Sequence, residues 1–188
     1  KVKRRNLMKL YAHPFSSYCQ KALIALYENG TPFEYRLLAL EDAQAAAEHA
    51  ALWPLKRMPV LVDGGRTVVE SSIIIEYLGL HYPGPVRLIP ADAHAALDVR
   101  MMDRIFDNYV MTPMQKIVLD SLRAEGRRDP QGVADARTML DTAYRWLDEK
   151  MAGREWAAGD GFSLADCAAA PSLFYADWAH PIGAGFAH

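Results

Sequence analysis

Apolar and polar positions change period several times along the chain. Leu10-Tyr11-Ala12 reads as a short strand, and His13-Pro14-Phe15 ends it because proline cannot continue a ladder. Ser16 and Ser17 open a helix, and Ser17 with Gln20 three residues on has the form of a capping box. Ala22, Leu23, Leu26 and Tyr27 recur at helical spacing and predict its inward face. Asn29-Gly30 closes it. Phe33, Tyr35 and Leu37 alternate with Glu34 and Arg36, which predicts a second strand. The alanine-rich run Glu41 to Leu52 predicts a helix that Trp53-Pro54 stops. Lys56 to Asp63 predicts a strand beginning at a proline. Gly64-Gly65 is a two-residue hairpin loop, and Thr67-Val68-Val69 returns antiparallel. Ile73 to Tyr82 predicts a helix with its isoleucines buried. The order is βαβ-α-ββα.

Pro83-Gly84-Pro85 is the clearest boundary. The expected division is a domain over 8–82, a linker over 83–91 and an all-helical domain over 92–188. Beyond Asp92 no strand pattern occurs. Leu97, Met101, Ile105, Phe106, Tyr109, Val110, Ile117, Val118 and Leu122 lie at helical spacing, with a kink expected at Pro113. Glu125 to Pro130 reads as a turn. Val133 to Lys150 is an amphipathic helix with Val133, Ala136, Leu140, Tyr144 and Leu147 inward. Ser163 caps a last helix, Asp166 standing at its third position and Phe162 and Cys167 at staple spacing. That helix runs to about Trp178.

Composition narrows the function classes. Half the chain is apolar, at 51%, and the net charge of −2 points away from nucleic acid. The longest apolar region, Val68 to Leu80, is interrupted by Glu70, Ser71, Ser72, Glu76 and Tyr77 and does not fit a membrane span. The basic tract Lys1 to Arg5 is followed by no apolar stretch, so a signal peptide is not expected. Met8 as the start and an extension over residues 1–7 both remain open. Two cysteines, Cys19 and Cys167, within helical patterns fit a reduced, cytoplasmic protein. Eight methionines fit a flexible hydrophobic substrate pocket or ordinary core filling. The six histidines have no metal-ligand spacing, so no metal is expected.

The chemistry concentrates at the first helix start, whose free N–H groups favour an anion such as a thiolate. Ser16-Ser17-Tyr18-Cys19 stands where thioredoxin-like proteins carry Cys-x-x-Cys, with serine in place of the first cysteine. A hydroxyl there can donate to a sulfur that a ligand brings. The stretch resembles the N-terminal domain of the glutathione transferases, closest to the serine-type theta, zeta and delta classes and their bacterial relatives. The Ser163-Leu-Ala-Asp166 helix start is similar to a structural motif of their C-terminal domain. The resemblance implies an α+β chain, a thioredoxin-like domain followed by an all-helical one. It also implies at least one further helix beyond the last one here, a segment that is either truncated or unobserved.

The resemblance assigns a role to each matching position. Ser16 is the catalytic hydroxyl that stabilises the glutathione thiolate, and Ser17 is the reserve donor. Met58, before a cis Pro59, pairs its backbone with the cysteinyl unit. Glu70 accepts from the α-amine, and Ser71 holds the α-carboxylate. Arg57 holds the glycine carboxylate, with His49 or Lys56 assisting. The plain alternatives are a capping Ser16, an edge strand at Pro59, a capping Ser71 and a solvated Arg57. The electrophile pocket is expected among His13, Phe15, Tyr109, Met111 and Met114. A thiol of pKa about 8.5 is only about 3% thiolate at pH 7, and lowering it by about two units takes about 2.7 kcal/mol. One hydrogen bond to the charged sulfur contributes about 1.5–3 kcal/mol, and the helix start about 0.3–1 kcal/mol. Ser16 and the helix therefore suffice without a general base.

The expected protein is a cytoplasmic homodimeric transferase that takes glutathione as co-substrate and a small hydrophobic electrophile, with no nucleic-acid or membrane partner. Two other readings stay open: a non-catalytic interaction module of the same fold, and a thiol-redox protein using Cys19.

Overall fold

The computed structural model describes residues 7–188, so the basic tract Lys1 to Arg5 lies outside the described residues. The chain divides between Ile89 and Pro90 into two compact units.

The first unit runs β1 (Met8–Ala12), α1 (Ser17–Glu28), β2 (Phe33–Leu37), α2 (Ala43–Leu52), β3 (Val60–Asp63), β4 (Arg66–Val69) and α3 (Ser71–His81). The sheet order is β2-β1-β3-β4, with β1 parallel to β2 and antiparallel to β3, and β3 antiparallel to β4. The period of two along β1 sorts the core onto two faces. Met8, Leu10 and Ala12 pack with Ala22, Leu23 and Leu26 of α1 and Ile74 and Leu78 of α3. Tyr11 packs on the other face with Leu38, Val60 and Ala45 of α2.

Several local expectations change. The cap of α1 is Ser16 rather than Ser17, and Gln20 donates to the Pro14 carbonyl at 2.5 Å instead of closing a capping box. The third strand begins at Val60, not Lys56. Tyr27 and Ile73, read as inward, are exposed. Tyr35 and Leu37 are exposed too, because β2 is an edge strand. The segment expected as linker is held to this unit. Asn29 accepts from Val86 N–H at 2.8 Å and donates to the Val86 carbonyl at 3.0 Å.

The second unit holds α4 (Ala93–Ile105), a π-helical stretch (Phe106–Met111), α5 (Thr112–Ser121), a 3₁₀ turn (Glu125–Arg127), α6 (Pro130–Met151) and α7 (Leu164–Ala179). Pro113 was expected to kink a continuous helix. Instead the widened turn precedes it, and Thr112 N–H bonds the Asp107 carbonyl five residues back. Proline crowds the carbonyl four residues back and has no N–H, so a longer loop of backbone before it relieves both problems. The inward stripe is Ala96, Val99, Asp103, Phe106, Val110 and Ile117, while Leu97, Met101, Tyr109, Val118 and Leu122 face outward. Ala136, Leu140, Tyr144 and Leu147 of α6 are buried as expected. Ser163 and Asp166 form the capping box of α7, and Asp166 also accepts from Ala157 N–H at 2.8 Å. No helix among the described residues is long and apolar enough to cross a membrane.

Candidate active site

Three segments meet at one end of the sheet. The β1–β3 register pairs Tyr11 with Val60, and the β3–β4 register pairs Val60 with Val69. Carried two residues further, these registers set Met58 opposite His13 on one side and Ser71 on the other. The starts of α1 and α3 and the Met58-Pro59 corner therefore share that end. Met58-Pro59 is a cis peptide, as the resemblance implied.

Ser16 is the N-cap of α1, and its Oγ accepts from Cys19 N–H at 3.3 Å. That bond uses an oxygen lone pair, so the O–H is a separate donor, and it is this hydroxyl that opposes the rise that burial gives the Cys19 thiol. Ser16 N–H is tied to the His13 carbonyl at 3.1 Å, which fixes the loop before the helix. Ser17, the expected reserve donor, is buried at 3% exposure. Cys19 is fully buried, and burial pushes its thiol up against the opposing hydrogen bonds from Ser16 and the His13 backbone. A redox thiol needs access and a low pKa, and Cys19 has neither. Tyr11 is also spoken for: its hydroxyl donates to Glu48 at 3.1 Å, and burial first, then that bond, raise its pKa.

Glu70 precedes α3 with φ of 68° and makes no side-chain cap bond. A non-glycine residue at positive φ is sparsely populated and is found at ligand clamps. Ser71, the first residue of α3, is buried to 5% exposure. Arg57 and Lys56 are exposed in the loop before Met58, Lys56 also at positive φ. His49 does not reach outward. It is 5% exposed, and its Nε2 lies 2.9 Å from the Arg57 carbonyl. A carbonyl only accepts, so Nε2 carries the proton and His49 holds the loop's backbone.

His13 Nδ1 accepts from Phe15 N–H at 3.2 Å, so the neutral ring carries its proton on Nε2. Phe15, 79% exposed, stands 5.5 Å from that ring. In the helical unit Tyr109 lines an apolar groove of about 640 Å³ with Ile105, Met139 and Trp146. Met111 is fully buried and Met114 is 4% exposed, so the three expected pocket residues of this unit do not share one open surface.

Lys21 escaped the sequence reading. It is fully buried, and its Nζ donates to Ser72 Oγ at 2.9 Å. The available signal was its spacing of four from Ser17, which places both on one helix face.

Known proteins carry the same plan. The N-terminal domain model of glutathione S-transferase matches residues 10–86, and the C-terminal domain model matches residues 130–186. Human glutathione S-transferase theta-1 is 29% identical over 95% of this chain and 75% of its own length. A maleylpyruvate isomerase from Ralstonia sp. is 30% identical over 88% of this chain and 81% of its own. A glutathione S-transferase from Methylobacillus flagellatus, solved with glutathione bound, superposes with a TM-score of 0.82 at 29% identity, covering 91% of this chain and 83% of its own. With a thioredoxin-like sheet domain, an all-helical second unit and both domain models matched, the chain belongs to the glutathione S-transferase family.

Proposed function

We propose that the protein binds glutathione at the shared end of the sheet and transfers it to a small hydrophobic electrophile. The observation that carries this reading is the Ser16 hydroxyl. It caps α1 through a lone pair and stands at a helix start that shares the end of the sheet with the Met58-Pro59 corner. The thiol loses its proton to solvent, and Ser16 donates to the resulting thiolate. The sulfur then attacks the electrophilic carbon. A C–S bond forms, and the electron pair leaves with the departing group or moves onto a conjugated oxygen.

Each remaining role follows from position. The Met58 backbone pairs with the cysteinyl unit as an added strand would. Ser71, at the start of α3, takes the α-carboxylate, and Glu70 takes the α-amine. Arg57, exposed on the loop that His49 holds, takes the glycine carboxylate. Phe15 and His13 flank the thiolate on the electrophile side. Two buried free cysteines fit a reduced cytoplasmic setting. Exposed Leu97 and Met101, one turn apart on α4, support a homodimer.

Calorimetry with glutathione, together with the ultraviolet thiolate absorbance of the bound ligand, tests the assignment. Binding with a thiolate signal at neutral pH, lost on Ser16→Gly, is expected. A folded native protein that binds no glutathione would make the fold an interaction scaffold.

A further inference from the structure

We propose that Lys21 and Ser72 form a strut that sets the spacing between the two ends of the glutathione site. The inference rests on the placement of glutathione proposed above. Lys21 lies one turn into α1 from Ser17, and Ser72 directly follows Ser71 at the start of α3. The 2.9 Å bond from Lys21 Nζ to Ser72 Oγ therefore joins the helix that carries the thiolate donor to the helix that grips the γ-glutamyl end. Glutathione has to reach both at once. A shift of one helix start against the other misplaces the sulfur relative to Ser16, even with the α-carboxylate well held. Positioning errors of this kind cost rate and thiolate stabilisation out of proportion to the energy of the bond that prevents them.

The burial makes the arrangement notable. An ammonium group taken wholly out of water is costly unless hydrogen bonds receive it, so a fully buried lysine is kept only where its geometry is well defined. An apolar side chain at position 21 would fill the same space without that cost. Among its contacts the lysine adds a directed bond to a hydroxyl on α3. Lys21 is thus a positioning residue that acts through Ser16 and Ser71 and touches no ligand.

Ser72→Ala removes this one acceptor with little change in volume, and Ser72→Thr returns a hydroxyl. Lys21→Met removes the donor. Each variant is titrated with glutathione and with S-methylglutathione, and the pH midpoint of the bound thiolate is read at saturating glutathione. Ser72→Ala is expected to weaken glutathione binding about three- to tenfold, the range that one hydrogen bond supports. It is also expected to raise the thiolate midpoint, and Ser72→Thr is expected to restore both. A purely structural bond would lower thermal stability in Ser72→Ala and leave the thiolate midpoint at saturation unchanged, and that result overturns the proposal. Should Lys21→Met not fold, the Ser72 pair decides alone. Failure of the native protein to bind glutathione is a separate result, which removes the proposed function and this inference with it.

Discussion

At the scale of the residue, Ser16 does two jobs that a single substitution can confuse. Its Oγ caps α1 and its O–H is the proposed thiolate donor. Replacing a capping serine by alanine costs about 0.5–2 kcal/mol of stability, whereas glycine at a cap costs only a few tenths. Ser16→Gly is therefore the cleaner test. It is expected to keep the melting temperature near the native value and to lower kcat/KM about 10- to 150-fold, the equivalent of one bond of about 1.5–3 kcal/mol to a charged group. A variant that melts normally and turns over normally would move the donor role away from Ser16. Cys19→Ala, a change in a buried thiol that nothing routes chemistry through, is expected to leave turnover intact. Loss of activity there would revive the redox reading. Ser16 was legible in the sequence because a serine pair before a helix is a short, local pattern. The burial of Cys19, inside a helical pattern, was legible too; that of Ser17 and Lys21 was not, because it depends on what α3 and the sheet bring to that face.

At the scale of the element, periodicity located every strand and helix of the first unit and misjudged some faces. Tyr27 and Ile73 fit the helical spacing and still point outward, since spacing marks a stripe without fixing its edges. Leu97 and Met101 lie at helical spacing and are exposed on α4, while Asp103 of α4 and Asp107 of the following π-helical stretch are buried, both paired with Arg104 at 2.6 and 2.5 Å. A polarity pattern does not anticipate acids that are buried by pairing. The Asn29 clamp on Val86 joins residues 57 apart, and no local pattern announces it. It does make a sharp prediction at Gly84. A Cβ there would stand 2.3 Å from Asn29 Oδ1 and 2.5 Å from its Cβ. Gly84→Ala is expected to destabilise by about 1–3 kcal/mol, as overpacking does. In an Asn29→Ala background the penalty should shrink, and additive denaturation free energies would show that the clash is not the cause. On α6, burial first, then Asp177 and Asp141, push the Tyr144 phenol up to about 12, and its hydroxyl donates to the His180 carbonyl at 3.0 Å. The folded state holds this proton more tightly than the unfolded state. The stability it contributes is fully present below the ordinary value of 10.0 and is lost as pH rises through about 12. Tyr144→Phe should flatten the fall in denaturation midpoint over that alkaline window, and an unchanged slope would assign the fall to other groups.

At the scale of the whole molecule, the α4 surface is what a monomer would have to explain. Leu97 is 64% exposed and Met101 42% exposed, one helical turn apart, on a helix whose opposite face is already buried in the second unit. A standard interface buries about 800 Å² on each partner and places its apolar anchors near the centre. In a two-fold dimer the same patch is used by both copies, so one substitution enters the interface twice. A carboxylate at position 97 would then be desolvated in each copy near its own symmetry mate, which adds repulsion to the lost apolar area. Sedimentation of the native protein at micromolar concentration is expected to give a dimer, and Leu97→Glu is expected to give a folded monomer. A native monomer would sink the proposed homodimer. A Leu97→Glu dimer of native affinity would keep the dimer and move its interface off this face of α4. Because Leu97 lies outside the sheet unit that holds Ser16 and Ser71, the monomeric variant should still bind glutathione through its own site, so binding and assembly are separable by this one change.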